Sequence, residues 1–442
     1  MKIQESQNTN KPLSTFSIWA IGVGMVISGE SFGWNFGWAI TGPIWFFVPV
    51  FIAAILYFGL VQTLLELACV YPQANGPQDY VKKAFGEKAG AFIAVAILLE
   101  FLFATPAIAS SLGEYLGFLL EDLSISPYIS TGFLVLFFII NLFDLHIGVK
   151  FLITLTILAI LELLIYQGTI AASFNTQNLS HVPFGGLNFE NFLAALPYAI
   201  WLFLAIEGIS LMTKNLPQNK LRKTLGRGYY FAFFTLLVLA ILVLLLAAGG
   251  INWSNKENLS ILEDNHPMPA SMALILGKEN VMVTIFTFIG LFGLIASLQG
   301  ITLAATTQLE QLLPEFNIQK TSKRFLSSLI VFLISVAAIW LSQTNLLIEI
   351  SVFGAVCMYL AVSISLFFLR ENKLKSLAKK TPNHYYHSDF NYTISTVFTF
   401  STAFISILCI WSFAKLQTRS FFIFIIFGIV YVILNNKKTN GI

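Results

Sequence analysis

Charge is scarce in this chain. Asp, Glu, Lys and Arg together make up 11% of its 442 residues, against about 25% in an ordinary soluble domain. Cysteine is scarcer still. Cys69, Cys357 and Cys409 lie in or beside apolar stretches with no metal-ligand spacing, so they read as packing residues rather than a disulfide framework or zinc site. His181, His266, His384 and His387 fall in polar connections and His146 at the edge of an apolar run. No two histidines face each other within one run, so neither a metal centre nor a histidine proton relay is expected. The opening MKIQESQNTNKPLST has no short apolar core or small-residue cleavage site, so it is not expected to act as a signal peptide, and the first apolar run is expected to direct insertion. Neither a cofactor nor a nucleic-acid partner is expected. The net charge of +3 says less than where the charges stand.

Apolar residues are abundant instead. They form 57% of the chain, Phe alone contributes 43, and the mean hydropathy is +0.78. So much apolar surface cannot be hidden in a soluble core, and the lipid bilayer is the expected surroundings. A helix needs about 20 apolar residues to cross. Runs of that kind cover 16–38, 43–68, 89–119, 128–146, 150–173, 192–213, 228–250, 280–308, 325–342, 346–369, 391–414 and 418–436. They predict an all-α integral membrane protein of about twelve transmembrane helices.

Orientation follows from the bases. With residues 1–15 as a cytoplasmic tail, all but four of the 25 Lys and Arg residues fall on the cytoplasmic side, as do 437–442 at the other end. Only Lys256, Lys278, Lys415 and Arg419 fall outside, which matches the positive-inside bias for an even number of spans. The protein is thus expected in the plasma membrane, or the inner membrane of a bacterial cell. The sizeable outer connection, 251–279, is expected to hold a short helix over the outer mouth.

The acids carry the most information. Glu30, Glu66, Glu100, Glu114, Glu162, Glu207 and Glu349 all fall within the runs, and no Lys or Arg takes a comparable central place. An ionised side chain at mid-membrane costs about 2.5–3.5 kcal/mol on insertion scales, so each acid must be neutral, paired or watered. Glu66, Glu114 and Glu349 are expected near span ends or bonded to neighbouring groups. Glu30 and Glu207 differ, because each is mid-span beside glycine, in Ser28-Gly29-Glu30-Ser31-Phe32-Gly33 and Ala205-Ile206-Glu207-Gly208. Glycine weakens a helix interior by about 1 kcal/mol relative to alanine, and broken backbone at membrane depth is tolerated only inside protein or beside a cavity. Both stretches are expected to be unwound; the alternative is that their glycines serve close helix packing. Glu30 falls in span 1 and Glu207 in span 6, as two inverted repeats of five spans would require. The expected division is a repeat over 16–173, a second over 192–369, and two further helices over 391–436.

These residues resemble the amino acid-polyamine-organocation superfamily and, within it, the ethanolamine permeases. The resemblance rests on Ser28-Gly29-Glu30-Ser31-Phe32 with Gly33-Trp34-Asn35, on Tyr71-Pro72-Gln73-Ala74-Asn75-Gly76-Pro77 leading to Tyr80 and Ala84-Phe85-Gly86, and on Glu100 with Pro106-Ala107-Ile108-Ala109. His146-Ile147-Gly148-Val149 and Ala205-Ile206-Glu207-Gly208 complete it. It covers about the first half of the chain. It implies a leucine-transporter-like fold with helices 1 and 6 broken, and a secondary transporter that is proton-coupled or an exchanger. Two places depart from the family pattern: Lys214-Asn215 stands where an acidic pair is usual, and Thr306-Thr307 where Ser-Arg is usual. Inner-gate contacts are therefore expected to differ.

A broken helix offers free backbone groups, and a half-helix N-terminus favours anions. Glu30 opposes a substrate carboxylate and attracts an ammonium group. A small amine such as ethanolamine fits, bound by Ser28, Gly29, Glu30, Ser31 and Phe32 from span 1 and by Trp201, Phe203, Ile206, Glu207 and Gly208 from span 6. Phe32, Trp34, Trp201 and Phe203 offer cation–π contacts of about 0.5–2 kcal/mol. Trp34 serves equally as an interfacial anchor, the role expected of Trp38. Glu100 and Glu162 are the candidate proton-coupling groups. The alternatives are a neutral or cationic amino acid permease or antiporter and, more distantly, a transport-inactive sensor; no nucleophile–base pair in a span suggests an enzyme.

Overall fold

The computed structural model describes residues 13–142, 149–180, 186–216, 220–313, 320–341, 343–370 and 392–439. Its spans follow the hydropathy closely. Span 1 is divided into Thr15–Val26, a single turn Ser28–Ser31, and Trp34–Thr41. Span 2 is Phe47–Val70, span 3 Glu87–Leu119, span 4 Ser126–Leu142 and span 5 Val149–Ile170. Span 6 is a helix Phe189–Trp201 followed, after a break, by the 3-10 segment Ile206–Asn215. Spans 7 to 10 are Leu221–Gly250, Val281–Leu312, Lys320–Leu341 and Thr344–Leu369, and spans 11 and 12 are Tyr392–Lys415 and Thr418–Thr439. Among the described residues nine helices are each long and apolar enough to cross a membrane, and the bent span 1 makes a tenth. Span 6 is too divided to count by length. Span 7 starts seven residues before its apolar run and carries Arg222, Lys223 and Arg227 on its first turns, since helical hydrogen bonding does not stop where hydropathy falls.

Between spans 2 and 3 lies the short helix Pro77–Phe85. Proline stands at its first position and Gly86, at φ 91°, just past its end, while Lys82 and Lys83 occupy the last turn. Each choice suits the orphan backbone groups and partial charges of a helix terminus.

Of those nine helices span 3 is the most enclosed, whereas spans 4 and 9 are among the most peripheral. Large apolar side chains such as Phe51, Phe234, Leu333, Phe400 and Phe404 remain on the surface, as a hydrocarbon solvent permits. The packing has an internal order. Span 3 packs on 8; span 3 packs on 10 as 8 does on 5; span 3 packs on 4 as 8 does on 9; and span 1 packs on 7 as 6 does on 2. Exchanging span n with span n + 5 therefore maps these contacts onto themselves.

The connection 251–279 holds two short helical segments, Lys256–Leu262 and Pro267–Leu276. Asn35 fastens it to span 1 by donating from Nδ2 to the carbonyls of Ile261 at 2.9 Å and Asp264 at 2.8 Å. Trp253 packs edge-on against Trp38, which packs against Trp34. Trp34 and Trp38 are both fully buried. The expected interfacial anchor at Trp38 is thus corrected: the folded-back connection covers the end of span 1 and makes both rings part of the interior.

Candidate functional site

The chain leaves helical geometry two residues after Glu30. Phe32 is extended and Gly33 has φ 97°, a left-handed conformation costly for any residue with a side chain. A Cβ at Gly33 would also stand 2.6 Å from the Trp201 ring. In span 6 the break covers 202–205, with Ala205 at φ 78°. That is strain on a non-glycine residue, of the kind that surrounding packing must hold in place. Glu30 and Glu207 therefore flank the breaks rather than lying in them: Glu30 in the turn before Phe32-Gly33, Glu207 in the 3-10 segment after Ala205.

The two breaks meet. A Cβ on Gly29 would lie 2.6 Å from the Trp201 carbonyl oxygen and 3.0 Å from Leu202 Cα, so the backbones touch where glycine allows it. Trp201 Nε1 donates to the Phe32 carbonyl at 3.1 Å, and the Phe32 and Trp201 rings meet edge to face at 5.4 Å. Trp34 Nε1 donates to the Glu30 carbonyl at 3.0 Å and Tyr115 Oη to the Ser31 carbonyl at 3.3 Å. Consecutive carbonyls at 30, 31 and 32 are thus each taken by an aromatic donor, and Asn35 Oδ1 accepts from the Gly33 N–H at 3.1 Å. The expectation of free carbonyls in this break is corrected accordingly. Just before it, Ser297 of span 8 donates to the Gly24 carbonyl at 2.8 Å and accepts from the Ser28 N–H at 3.3 Å, while Thr156 of span 5 donates to the Ala20 carbonyl at 2.9 Å.

What remains unsatisfied is the Glu30 carboxyl. It is completely buried, neither oxygen has a hydrogen-bond partner, and no charged side chain among the described residues acts on it. Ser28, Ser31, Phe32, Trp201, Phe203, Ile206 and Glu207 are buried around the same two breaks, and Gly208 lies against Met25. Phe203 packs on Tyr57 and Phe233, so it lines the span 2 and span 7 side of the break.

Glu207 faces elsewhere. Tyr359 of span 10 donates to Glu207 Oε2 at 3.2 Å, and the Glu100 carboxyl of span 3 lies within hydrogen-bonding reach of the Glu207 carboxyl. The Tyr359 and Tyr57 hydroxyls are 3.0 Å apart, and Tyr57 donates to the Ile200 carbonyl, at the end of the first half of span 6, at 3.1 Å. Sequence reasoning assigned Glu100 and Glu207 to separate roles; the fold puts them in one pair. Glu162 is buried beside Gly290, whose missing side chain makes room for it: a Cβ there would lie 2.8 Å from Glu162 Cδ and 2.9 Å from Tyr115.

The other three acids have partners. Glu114 accepts from the Asn265 N–H at 3.1 Å and from its side-chain amide, and contacts His266 Nδ1 at 2.8 Å. Glu349 accepts from Tyr198 at 2.8 Å and Ser420 at 3.0 Å. Glu66 has a base that its own run does not contain: Arg370, just past span 10, donates from Nε to Glu66 Oε1 at 2.6 Å and from Nη2 to Oε2. Ser395 and Thr396 accept from the same guanidinium.

Two cavities approach the breaks from opposite ends. One, of about 340 Å³, reaches from Asn75, Thr307 and Gln311 up to Gly24, Met25 and Gly208. The other, of about 650 Å³, lies between Phe36, Tyr198 and Glu114 under the 251–279 connection. Of the family departures, Thr307 lines the first cavity and Thr306 is buried with its hydroxyl unpartnered. The side chains of Lys214 and Asn215, and residues His146, Ile147, Gly148, His181, His384 and His387, lie outside the described residues.

A buried polar centre at the meeting of two interrupted helices, approached by cavities from both ends, defines a membrane transporter. Its family is equally plain: the chain matches the family model described as "Amino acid permease" over residues 13–434 and belongs to that family. An uncharacterized transporter of Rhizobium meliloti (strain 1021) is 22% identical over 252 residues, covering 53% of this chain and about half, 52%, of that relative. A crystal structure of a mutant manganese transporter of Eremococcus coleocola has the same fold, with a TM-score of 0.58 and 14% identity over 98% of this chain and 95% of that one.

Proposed function

We propose that this permease moves a small amine such as ethanolamine, or an amino acid, across the membrane by alternating access, with proton coupling or exchange. The observation that carries the reading is Glu30: a wholly buried carboxyl without a donor, at a break where the carbonyls of residues 30, 31 and 32 are already bonded. An unpaired carboxylate is strongly disfavoured in such surroundings. An ammonium group supplies both the missing charge and three hydrogen-bond donors. Phe32 and Trp201 supply aromatic walls. With the N terminus in the cytoplasm, as the placement of Lys and Arg favours, the cavity reaching Gly208 is the inward vestibule and the one beside Tyr198 the outward vestibule. The halves that rock are then 16–173 and 192–369, with 391–436 outside them. Glu100 and Glu162 are the candidate proton carriers.

Uptake by the full-length protein in proteoliposomes tests this. Glu30→Gln removes the charge and keeps the shape. A charge-assisted hydrogen bond is worth about 1.5–3 kcal/mol, so the apparent affinity for an amine should fall about 10- to 100-fold. Unchanged uptake would remove Glu30 from the site. The amino acid alternative requires Glu30 to hold a proton or turn aside; thermal protection of purified protein by an amino acid, and none by ethanolamine, would select it.

A further inference from the structure

Glu100 and Glu207 come from different halves of the chain, and the donors that reach the pair, Tyr359 and the backbone N–H groups of Ala205 and Glu207, all act on Glu207. Both Glu100 oxygens and Glu207 Oε1 are buried without a protein donor. The titratable groups turned toward the pair are Tyr359 of span 10, Tyr57 of span 2 and Tyr229 of span 7, with Cys409 of span 11 beyond Tyr57. No cationic side chain among the described residues acts on either acid. Two carboxylates cannot share such a place fully charged; one proton at least must lie between them.

Hydrogen counting goes further. Four contacts run in series: Glu100 to Glu207, Glu207 to Tyr359, Tyr359 to Tyr57, and Tyr57 to the Ile200 carbonyl. Each tyrosine contributes one hydrogen. With one proton on the acid pair there are three hydrogens for four contacts, and one link must fail. With two protons, Glu100 donates to Glu207, the Glu207 hydroxyl donates to Tyr359, Tyr359 to Tyr57, and Tyr57 to Ile200, so all four links are made. The last acceptor is at the end of the first half of span 6, on the edge of its break.

We propose that Glu100 and Glu207 form one proton-binding site that alternates between one and two protons, and that Tyr359 and Tyr57 relay its occupancy to the broken backbone of span 6. The assignment rests on the reading of the chain as a proton-coupled carrier, and it moves Glu207 from the cargo site to the coupling site, leaving Glu30 to the cargo. The next residues along each helix, Phe101 and Gly208, line the cavity that reaches the break, which gives the proton a route to that face. Span 10 is held to span 3 at this level, because Ser351 donates to the Glu100 carbonyl at 2.7 Å. A change at the pair is therefore felt by spans 3, 6 and 10 together.

The test uses the full-length protein in liposomes, read by infrared difference spectroscopy between acid and alkaline buffer and by amine uptake under an imposed pH gradient. The wild type should show a titrating carbonyl band of a buried protonated carboxyl. One component of it should vanish in both Glu100→Gln and Glu207→Gln and remain in Glu30→Gln and Glu162→Gln. Persistence of every component in Glu100→Gln, or loss of the shared component in Glu162→Gln, overturns the assignment. Tyr359→Phe should keep the band and shift its pH midpoint; an unshifted midpoint overturns the relay, and this arm decides if Glu100→Gln does not assemble. In transport, Glu100→Gln should lose the response to the pH gradient while amine counterflow persists; retained gradient-driven accumulation overturns the coupling role. A wild type that shows the band but takes up no amine contradicts the cargo reading and leaves the proton site standing, so the two failures are distinct.

Discussion

Gly29 holds the two interrupted helices together, and adding one methyl group there should separate them. In Gly29→Ala the new Cβ would meet the Trp201 carbonyl oxygen at 2.6 Å, whereas ordinary contact begins at 3.4 Å, so the crossing must open by about 0.8 Å. The obstacle is backbone on both sides and cannot rotate away. Overpacking of this kind costs about 1–3 kcal/mol, set against a gain of about 1 kcal/mol from replacing a helical glycine with alanine. Gly132, mid-way along span 4 with no heavy atom within 4 Å of its Cβ position, provides the reference. Gly132→Ala gains the helical term alone, so the difference between the two variants isolates the packing cost. Thermal unfolding of the purified protein should place Gly29→Ala below Gly132→Ala by the equivalent of about 1–3 kcal/mol. If all of that strain falls on the substrate-bound state, uptake at limiting amine should fall about 5- to 150-fold. Gly29→Ala unfolding at or above Gly132→Ala would refute the crossing and with it the placement of Glu30 beside span 6.

Arg370 and Glu66 form a buried pair, their side chains 7% and 8% exposed. Arg370→Met leaves an uncompensated carboxylate and should cost about 3–5 kcal/mol, whereas Arg370→Met with Glu66→Met should recover most of it; equal unfolding temperatures for the single and double variants would contradict this. Asp264, in the connection over span 1, has its pKa raised by burial, with Glu114 and Glu263 adding to the shift and His266 opposing it. An acid raised in the folded state contributes a penalty that grows as pH rises from the ordinary aspartate range of about 4 through the raised value. Asp264→Asn should therefore exceed the wild type in unfolding temperature at neutral pH and lose that advantage on acidification, and a gap independent of pH would exclude the assignment.

Some of the site was legible in the chain because its cause is local. Glycine at 29 and 33 beside an acid marks a helix that cannot run on undisturbed, and span 1 breaks there. Span 6 was legible only as a neighbourhood: its break falls at 202–205, where no glycine or proline stands, and Ala205 is held left-handed by what packs on it. Glu66, Glu114 and Glu349 were correctly separated from the rest by their places near span ends, but the partner of Glu66 was hidden, since Arg370 is 304 residues away and lies among bases that read as a surface cluster. Trp38 misled for a similar reason: a tryptophan at the end of an apolar run looks interfacial until a distant connection covers it.

The sequence by itself determined that this is a membrane-embedded helical protein of many spans, with acids placed inside its apolar runs. These properties follow from transfer of side chains between water and hydrocarbon, residue by residue. Only the tertiary structure decided which acids meet. Glu100 and Glu207 come together because spans 3, 6 and 10 pack around one centre, and Glu30 is left alone because aromatic donors from spans 1, 3 and 6 have taken the carbonyls beside it. Hydrogen-bond partners across such distances depend on which helix faces touch, and no periodicity within one run encodes that.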